Sequence, residues 1–187
     1  MGPVRTLPTI RTERLLLRPF RPSDAADVQR LAGDRAIADT TASIPHPYPD
    51  GAAHEWIAGH ARRFEEGNEL VLAVVLRESD ALIGATSLLD LTVLHERGEI
   101  AYWIGKPYWN EGYCTEAARA LIGYGFEVLG LRRIVGRFLK RNPASGRVMT
   151  KVGMREEGCL RAHEKKWERF EDVMIYGILR SEWPGLG

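Results

Sequence analysis

The chain has 187 residues, 44% of them hydrophobic, with 26 basic against 25 acidic side chains. That size suits one globular domain, residues 1–187, burying roughly 70% of its unfolded surface, and the near-neutral balance argues against a nucleic-acid binder. No apolar run approaches the ~20 residues of a membrane span, residues 1–14 hold no stretch for a secretion signal, and Cys114, Cys159 and five scattered histidines lack metal-type spacing, so a cytoplasmic protein without membrane contact or metal is expected.

Glu13 to Phe20 reads as a leucine-rich strand, and Pro22-Ser23-Asp24 as a cap for a helix over Ala25 to Leu31. Met1 to Thr6 formally match a myristoylation pattern, with no second lipid signal beside it. Ile44 to Pro49 holds three prolines and reads as a stiff loop, with Asp50 capping a helix from about Ala52 to Glu66. Glu69–Leu76 and Ala81–Leu91 have hairpin spacing, and Gly98–Gly105 is the next strand. Gly112–Leu129 reads as a helix with Ala117, Leu121, Tyr124 and Val128 on one stripe, followed by a strand over Arg132–Leu139. Asn142 opens a short helix that Gly153 caps, and the remainder alternates as strands through Ile178 before a loose tail, 183–187. The fold class is α+β with a mixed sheet.

The most informative segment is the strand, loop and helix start from Arg97 to Ala117. The first N–H groups of a helix lack internal partners and carry the positive end of the macrodipole, so a turn at Asn110-Glu111-Gly112 can aim donors at a phosphate. A glycine that merely closes the turn is the plainer alternative. From Val128 to Arg155 there is no carboxylate, while Arg132, Arg133, Arg137, Lys140, Arg141, Arg147, Lys151 and Arg155 all fall there. That run suits a polyanionic ligand, or else a solvated face balanced by acids elsewhere in the fold.

These segments resemble the GNAT superfamily of acetyl-coenzyme A dependent N-acetyltransferases, and within it the RimJ/RimL-like branch. Thr12-Glu13-Arg14-Leu15-Leu16-Leu17-Arg18 is similar to the branch's opening strand, Gly98 to Ile104 to its fourth strand, and Gly112-Tyr113-Cys114-Thr115-Glu116-Ala117 to its pyrophosphate loop. Asn142-Pro143-Ala144-Ser145 and Gly153-Met154 resemble the second cofactor motif, and Glu157-Gly158 and Asp172-Val173 lie in the closing strands. The family's loop motif departs here at Trp109 and Cys114, and Met149 stands where many members carry a tyrosine acid. The resemblance implies a mostly antiparallel sheet of about seven strands flanked by helices and splayed at the fourth and fifth strands.

The implied reaction is direct attack of an amine on the acetyl-CoA thioester, which needs a base, oxyanion donors and a proton for the thiolate. Ser145 is the implied acid. Glu99 and Glu164 are competing bases; the first is alternatively an ion-pair partner of Arg97 or another arginine, the second part of a charged hairpin tip, Glu164-Lys165-Lys166. Coenzyme A would meet the edge Tyr102-Trp103-Ile104 by strand addition. It would also meet the loop residues Asn110, Glu111, Gly112, Tyr113, Cys114 and Thr115, with Asn142, Ser145, Arg147 and Lys151 on the other side. A backbone N–H near Trp103 or Ile104 would hold the oxyanion. Residues 36–69 carry six carboxylates against two arginines and, by the resemblance, lie over the acceptor side, where Tyr48 and Trp56 are candidate walls. The amine is open: a ribosomal-protein N-terminus, another peptide or a small molecule. A non-catalytic acyl-CoA-binding or ribosome-associated module is the rival reading. Exposed Trp167 and Phe170 allow a monomer or a homodimer.

Overall fold

A computed structural model describes residues 6–185; residues 1–5, where the lipidation pattern begins, and 186–187 lie outside them. Eight strands form one sheet: β1 (Ile10–Arg11), β2 (Leu15–Arg18), β3 (Leu70–Leu76), β4 (Leu82–Thr92), β5 (Arg97–Ile104), β6 (Arg133–Leu139), β7 (Arg155–Lys166) and β8 (Arg169–Leu179). Their order is β1-β2-β3-β4-β5-β6-β8-β7, with β5 and β6 parallel and every other pair antiparallel. The expected fold is borne out, the eighth strand being the two-residue β1.

The central strands are apolar on both faces because both are covered. On one face, α5 (Tyr113–Glu127) and α6 (Pro143–Lys151) bury Ala117, Leu121, Phe126 and Met149 against Leu72, Leu88, Ile100 and Ile134. On the other, α1 (Ala25–Ala32) and α3 (Ala52–Ala58) bury Val28, Ala53 and Ile57 against Ala73 and Val75. Side-chain alternation along β5 therefore sends Tyr102 to the first face and Trp103 to the second.

Four local expectations change. Asp24 does not cap α1: its side chain accepts from Arg21 N at 2.7 Å at the start of a 3₁₀ helix, Pro22–Asp24, and is buried in an ion pair with Arg18 at 2.7 Å. The single helix over 52–66 is two helices, α3 and α4 (His60–Glu65), broken at Gly59, and Gly51 at φ 80° stands at the N-cap instead of Asp50. A six-residue helix, α2 (Arg35–Thr40), begins at Asp34, whose side chain accepts from Ala36 N. Trp183 does not start a loose tail: its ring packs on Phe126 with centroids 6.0 Å apart.

Candidate active site

The β5–β6 ladder stops at Ile100–Gly136, although both strands continue for several residues. Beyond that point the two strands part, so Ala101–Ile104 has a strand partner only on its β4 side. A parted parallel pair offers backbone donors and acceptors to an extended, amide-bearing ligand.

The turn after β5 closes on this gap. Asn110 and Gly112 both take positive φ, 67° and 81°, and α5 starts at Tyr113 with Gly112 as an N-cap that has no side chain to contribute. The first bond of the helix is Glu116 N to Gly112 O, so by helix geometry the N–H groups of Tyr113, Cys114 and Thr115 point outward for a ligand. Trp109 replaces the family's polar residue with a different service, because its indole N–H donates to Ile104 O and ties the loop to the end of β5.

Sequence reasoning missed what fixes this turn from the far side. Glu116, in the first turn of α5, accepts from Thr12 Oγ1 at 2.6 Å, Arg14 N at 2.9 Å and Arg14 Nε at 2.7 Å. The Arg14 guanidinium also donates to Glu111 O at 2.9 Å and lies 4.6 Å over the Tyr113 ring. Burial alone would raise the Glu116 pKa, but the hydrogen bonds from Thr12 and Arg14 outweigh it and hold the carboxyl below its ordinary range. The Thr12-Glu13-Arg14 signature is thus a strap across the turn that opens α5, and the signal available was the charged pair Arg14 and Glu116 within two separate motifs.

Ser145 sits in the first turn of α6, behind the N-cap Asn142. Its Oγ lies 3.0 Å from the Tyr102 hydroxyl, which also donates to Ser145 O at 3.1 Å. Burial, then the neighbouring Cys114, raise the Tyr102 pKa, so the phenol stays protonated. Cys114 itself packs against the core, and burial pushes its thiol up to about 12. It is a neutral filler beneath the turn. Asn142 is occupied at both ends of its amide, accepting from Ser145 N and donating to Thr40 O at 3.1 Å.

Glu99 lies on the opposite face, paired with Arg137 at 2.7 Å. The arginine partner named as its alternative is therefore present, and it comes from the splayed strand. Glu164 is half-buried on β7 and has no hydrogen-bond or ion-pair partner among the described residues, but its charge reaches Arg137. The hydrogen bond to Glu99 first, then the charges of Glu99, Asp90 and Glu164, raise the Arg137 pKa. The structure thus brings both candidate bases around one guanidinium.

Of the basic run, Arg132, Arg133, Arg137, Lys140, Arg141 and Arg155 are ion-paired with Glu96, Glu157, Glu99, Asp172, Glu171 and Glu182. The balanced-face reading holds for these six. Arg147 and Lys151, both on α6, keep no carboxylate among the described residues; with Phe138, Met174 and Tyr176 they line an open groove of ≈ 510 Å³. Tyr48 and Trp56 pack on the α1–α3 cluster, Trp56 edge-on to His60 at 4.4 Å, and burial raises the Tyr48 pKa.

A sheet splayed beside a side-chain-free helix N-terminus suits an extended ligand with an anionic end. The chain belongs to the GNAT acetyltransferase family: the acetyltransferase (GNAT) domain matches residues 14–155. Similar curated proteins include the putative ribosomal N-acetyltransferase YdaF of Bacillus subtilis, 35% identical over 92% of this chain and 95% of that one. The uncharacterized N-acetyltransferase YnaD of the same species is 33% identical over 93% and 98%. Among solved structures, a GNAT acetyltransferase from Bacillus anthracis superposes with a TM-score of 0.83 at 27% identity, covering 94% of this chain and 100% of the other. The ribosomal L7/L12 N-acetyltransferase RimL, in complex with coenzyme A, shares the fold at a TM-score of 0.84, 17% identity and 92% and 98% coverage. The expected RimJ/RimL-like assignment stands, and the protein is an enzyme that transfers an acetyl group to an amine.

Proposed function

We propose that this single domain binds acetyl-CoA across the β5–β6 gap and passes its acetyl group to a primary amine in the cytoplasm, either a protein N-terminus or a small-molecule amine. The observation that carries the reading is the arrest of the β5–β6 ladder at Ile100–Gly136 beside the uncapped start of α5. The pyrophosphate meets the N–H groups of Gly112, Tyr113, Cys114 and Thr115, and the amide-rich pantetheine arm extends the free side of β5 at Tyr102–Ile104. Arg147 and Lys151, free of carboxylates, add charge for the nucleotide phosphates.

The amine attacks the thioester carbonyl from the face that carries Glu99, Glu164 and Trp103, and the tetrahedral oxyanion takes a backbone N–H near Trp103 or Ile104. Glu164 takes the ammonium proton, because Glu99 is engaged by Arg137. When the intermediate collapses, the C–S bond breaks and Ser145 Oγ gives its proton to the thiolate. Tyr102, 3.0 Å from that oxygen and itself kept protonated by burial, orients the hydroxyl, and solvent returns the proton to Ser145 once the thiol has left. The first turn of α6 also places the positive end of a helix beside the developing thiolate.

A ribosomal-protein N-terminus is supported as acceptor by the names of similar proteins, including the Escherichia coli ribosomal-protein-serine acetyltransferase, 32% identical over 53% of this chain. A polyamine is supported by the Vibrio cholerae spermidine N(1)-acetyltransferase, 26% identical over 54% of this chain. The test is thiol release from acetyl-CoA with spermidine and with short serine- and alanine-led peptides. Turnover with one class assigns the acceptor; acetyl-CoA binding without turnover on any amine would return the non-catalytic module.

A further inference from the structure

Lys166 ends β7, a strand whose other side chains mostly face solvent, yet it is only 7% exposed. Its ammonium donates to two backbone carbonyls, Ala42 O at 3.3 Å and Ile44 O at 2.8 Å. Burial, and then the charge of Arg141, lower its pKa, while Asp39 opposes them. Desolvating an ammonium with no carboxylate bonded to it is costly, so those two bonds fix the loop that supplies them firmly.

That loop, residues 41–51, joins α2 to α3 and holds Pro45, Pro47 and Pro49. It lies on the face opposite the phosphate turn, where Ile44 and Tyr48 pack against the same apolar cluster as Trp103. Trp103 belongs to the part of β5 that has left β6, so the loop walls the gap from the amine's side. At the other end of the bond, the regular pairing Glu164–Glu171 to Lys166–Arg169 puts Glu164 and Lys166 on one face of β7. Lys166 therefore joins the strand bearing a candidate base to the loop covering the acceptor side. The neighbouring ties run the same way: Arg141 pairs with Asp39 at 3.1 Å, and the Arg35 guanidinium lies 5.6 Å over the Trp167 ring.

We propose that Lys166 is a positioning residue for the acceptor: it pins the Thr41–Ile44 backbone to β7 and so sets the distance between loop and Glu164. It touches neither substrate. The acceptor part of this inference rests on the function proposed above; the pin itself does not.

The test uses the full chain with Lys166→Met, which keeps the aliphatic stem and removes the ammonium. In backbone NMR the amide order parameters of Thr41 to Ile44 should fall from about 0.85 to below about 0.6, with α5 unchanged. With whichever probe amine the wild type acetylates, spermidine or a short peptide with a free amino terminus, KM for the amine should rise roughly tenfold while KM for acetyl-CoA holds. Unchanged order parameters in a folded Lys166→Met variant, or an equal rise in both KM values, overturns the proposal. If neither amine is acetylated by the wild type, the proposed function fails and the order parameters still decide the pin. Should the variant not fold, amine labelling of the folded wild type decides: much slower labelling of Lys166 than of Lys165 supports the pin, and equal rates overturn it.

Discussion

Two hydroxyls 3.0 Å apart, Ser145 Oγ and Tyr102 Oη, form the most specific chemical pairing at the site. Ser145→Ala is expected to lower kcat by about 10²-fold, the lower end for a positioned acid, with KM for acetyl-CoA little changed. Tyr102→Phe should lower kcat by less, since Ser145 keeps its own proton. Steady-state kinetics on both variants check the order. A second prediction concerns His60, 2% exposed, with both ring nitrogens unpartnered among Phe20 and Trp56. Burial, then the charge of Arg63, lower its pKa from 6.5 to about 4. Between those values the unfolded chain binds a proton that the folded one refuses, so this contribution is intact above pH 6.5 and fades as pH falls toward 4. The loss is about 3 kcal/mol at most. Urea unfolding at pH 7 and pH 5 should show it, and His60→Phe should flatten the slope. The sequence named Ser145 through a resemblance alone; its pairing with Tyr102 needs β5 and α6 side by side, which 43 residues of separation conceal.

At the scale of elements, α5 is legible because its apolar stripe is long and its N-terminus carries a glycine. The φ of 81° at Gly112 gives that glycine its physical reason. An alanine there would sit in the left-handed region at a cost of about 1–2 kcal/mol. Gly112→Ala should therefore lower the unfolding midpoint and shrink the stabilisation by acetyl-CoA, both read in one thermal melt. The helices covering the other face were less legible. The pattern over 52–66 is helical apart from Gly59, a poor helix former, and the break falls there, with the Arg63 side chain lying over the glycine to donate to Trp56 O. Asp24 looked like a cap for α1 because Pro-Ser-Asp is a helix-opening signal; its carboxylate instead closes the preceding 3₁₀ turn by accepting from Arg21 N and pairs with the buried Arg18 guanidinium that β2 puts within 2.7 Å. Asp24→Ala leaves that charge buried and alone, at about 3–5 kcal/mol, measurable as a shift in urea midpoint.

Across the whole molecule, the basic run from Val128 to Arg155 is largely explained by its neighbours in space. Six of its eight cations meet acids elsewhere in the chain, a pattern that needs the β5-β6-β8-β7 order to be seen. What the sheet leaves open is the gap between β5 and β6, bordered on one face by the phosphate turn and on the other by Glu99, Trp103 and the loop under Lys166. The account stands on acetyl-CoA entering that gap. Thermal unfolding with and without acetyl-CoA, beside NAD and ATP, tests it most directly. A ligand at 100 times its dissociation constant adds about 2.7 kcal/mol, or roughly 5–10 °C for a domain of this size. A rise of that order with acetyl-CoA alone is the predicted result; folded protein whose midpoint acetyl-CoA does not move would contradict the account.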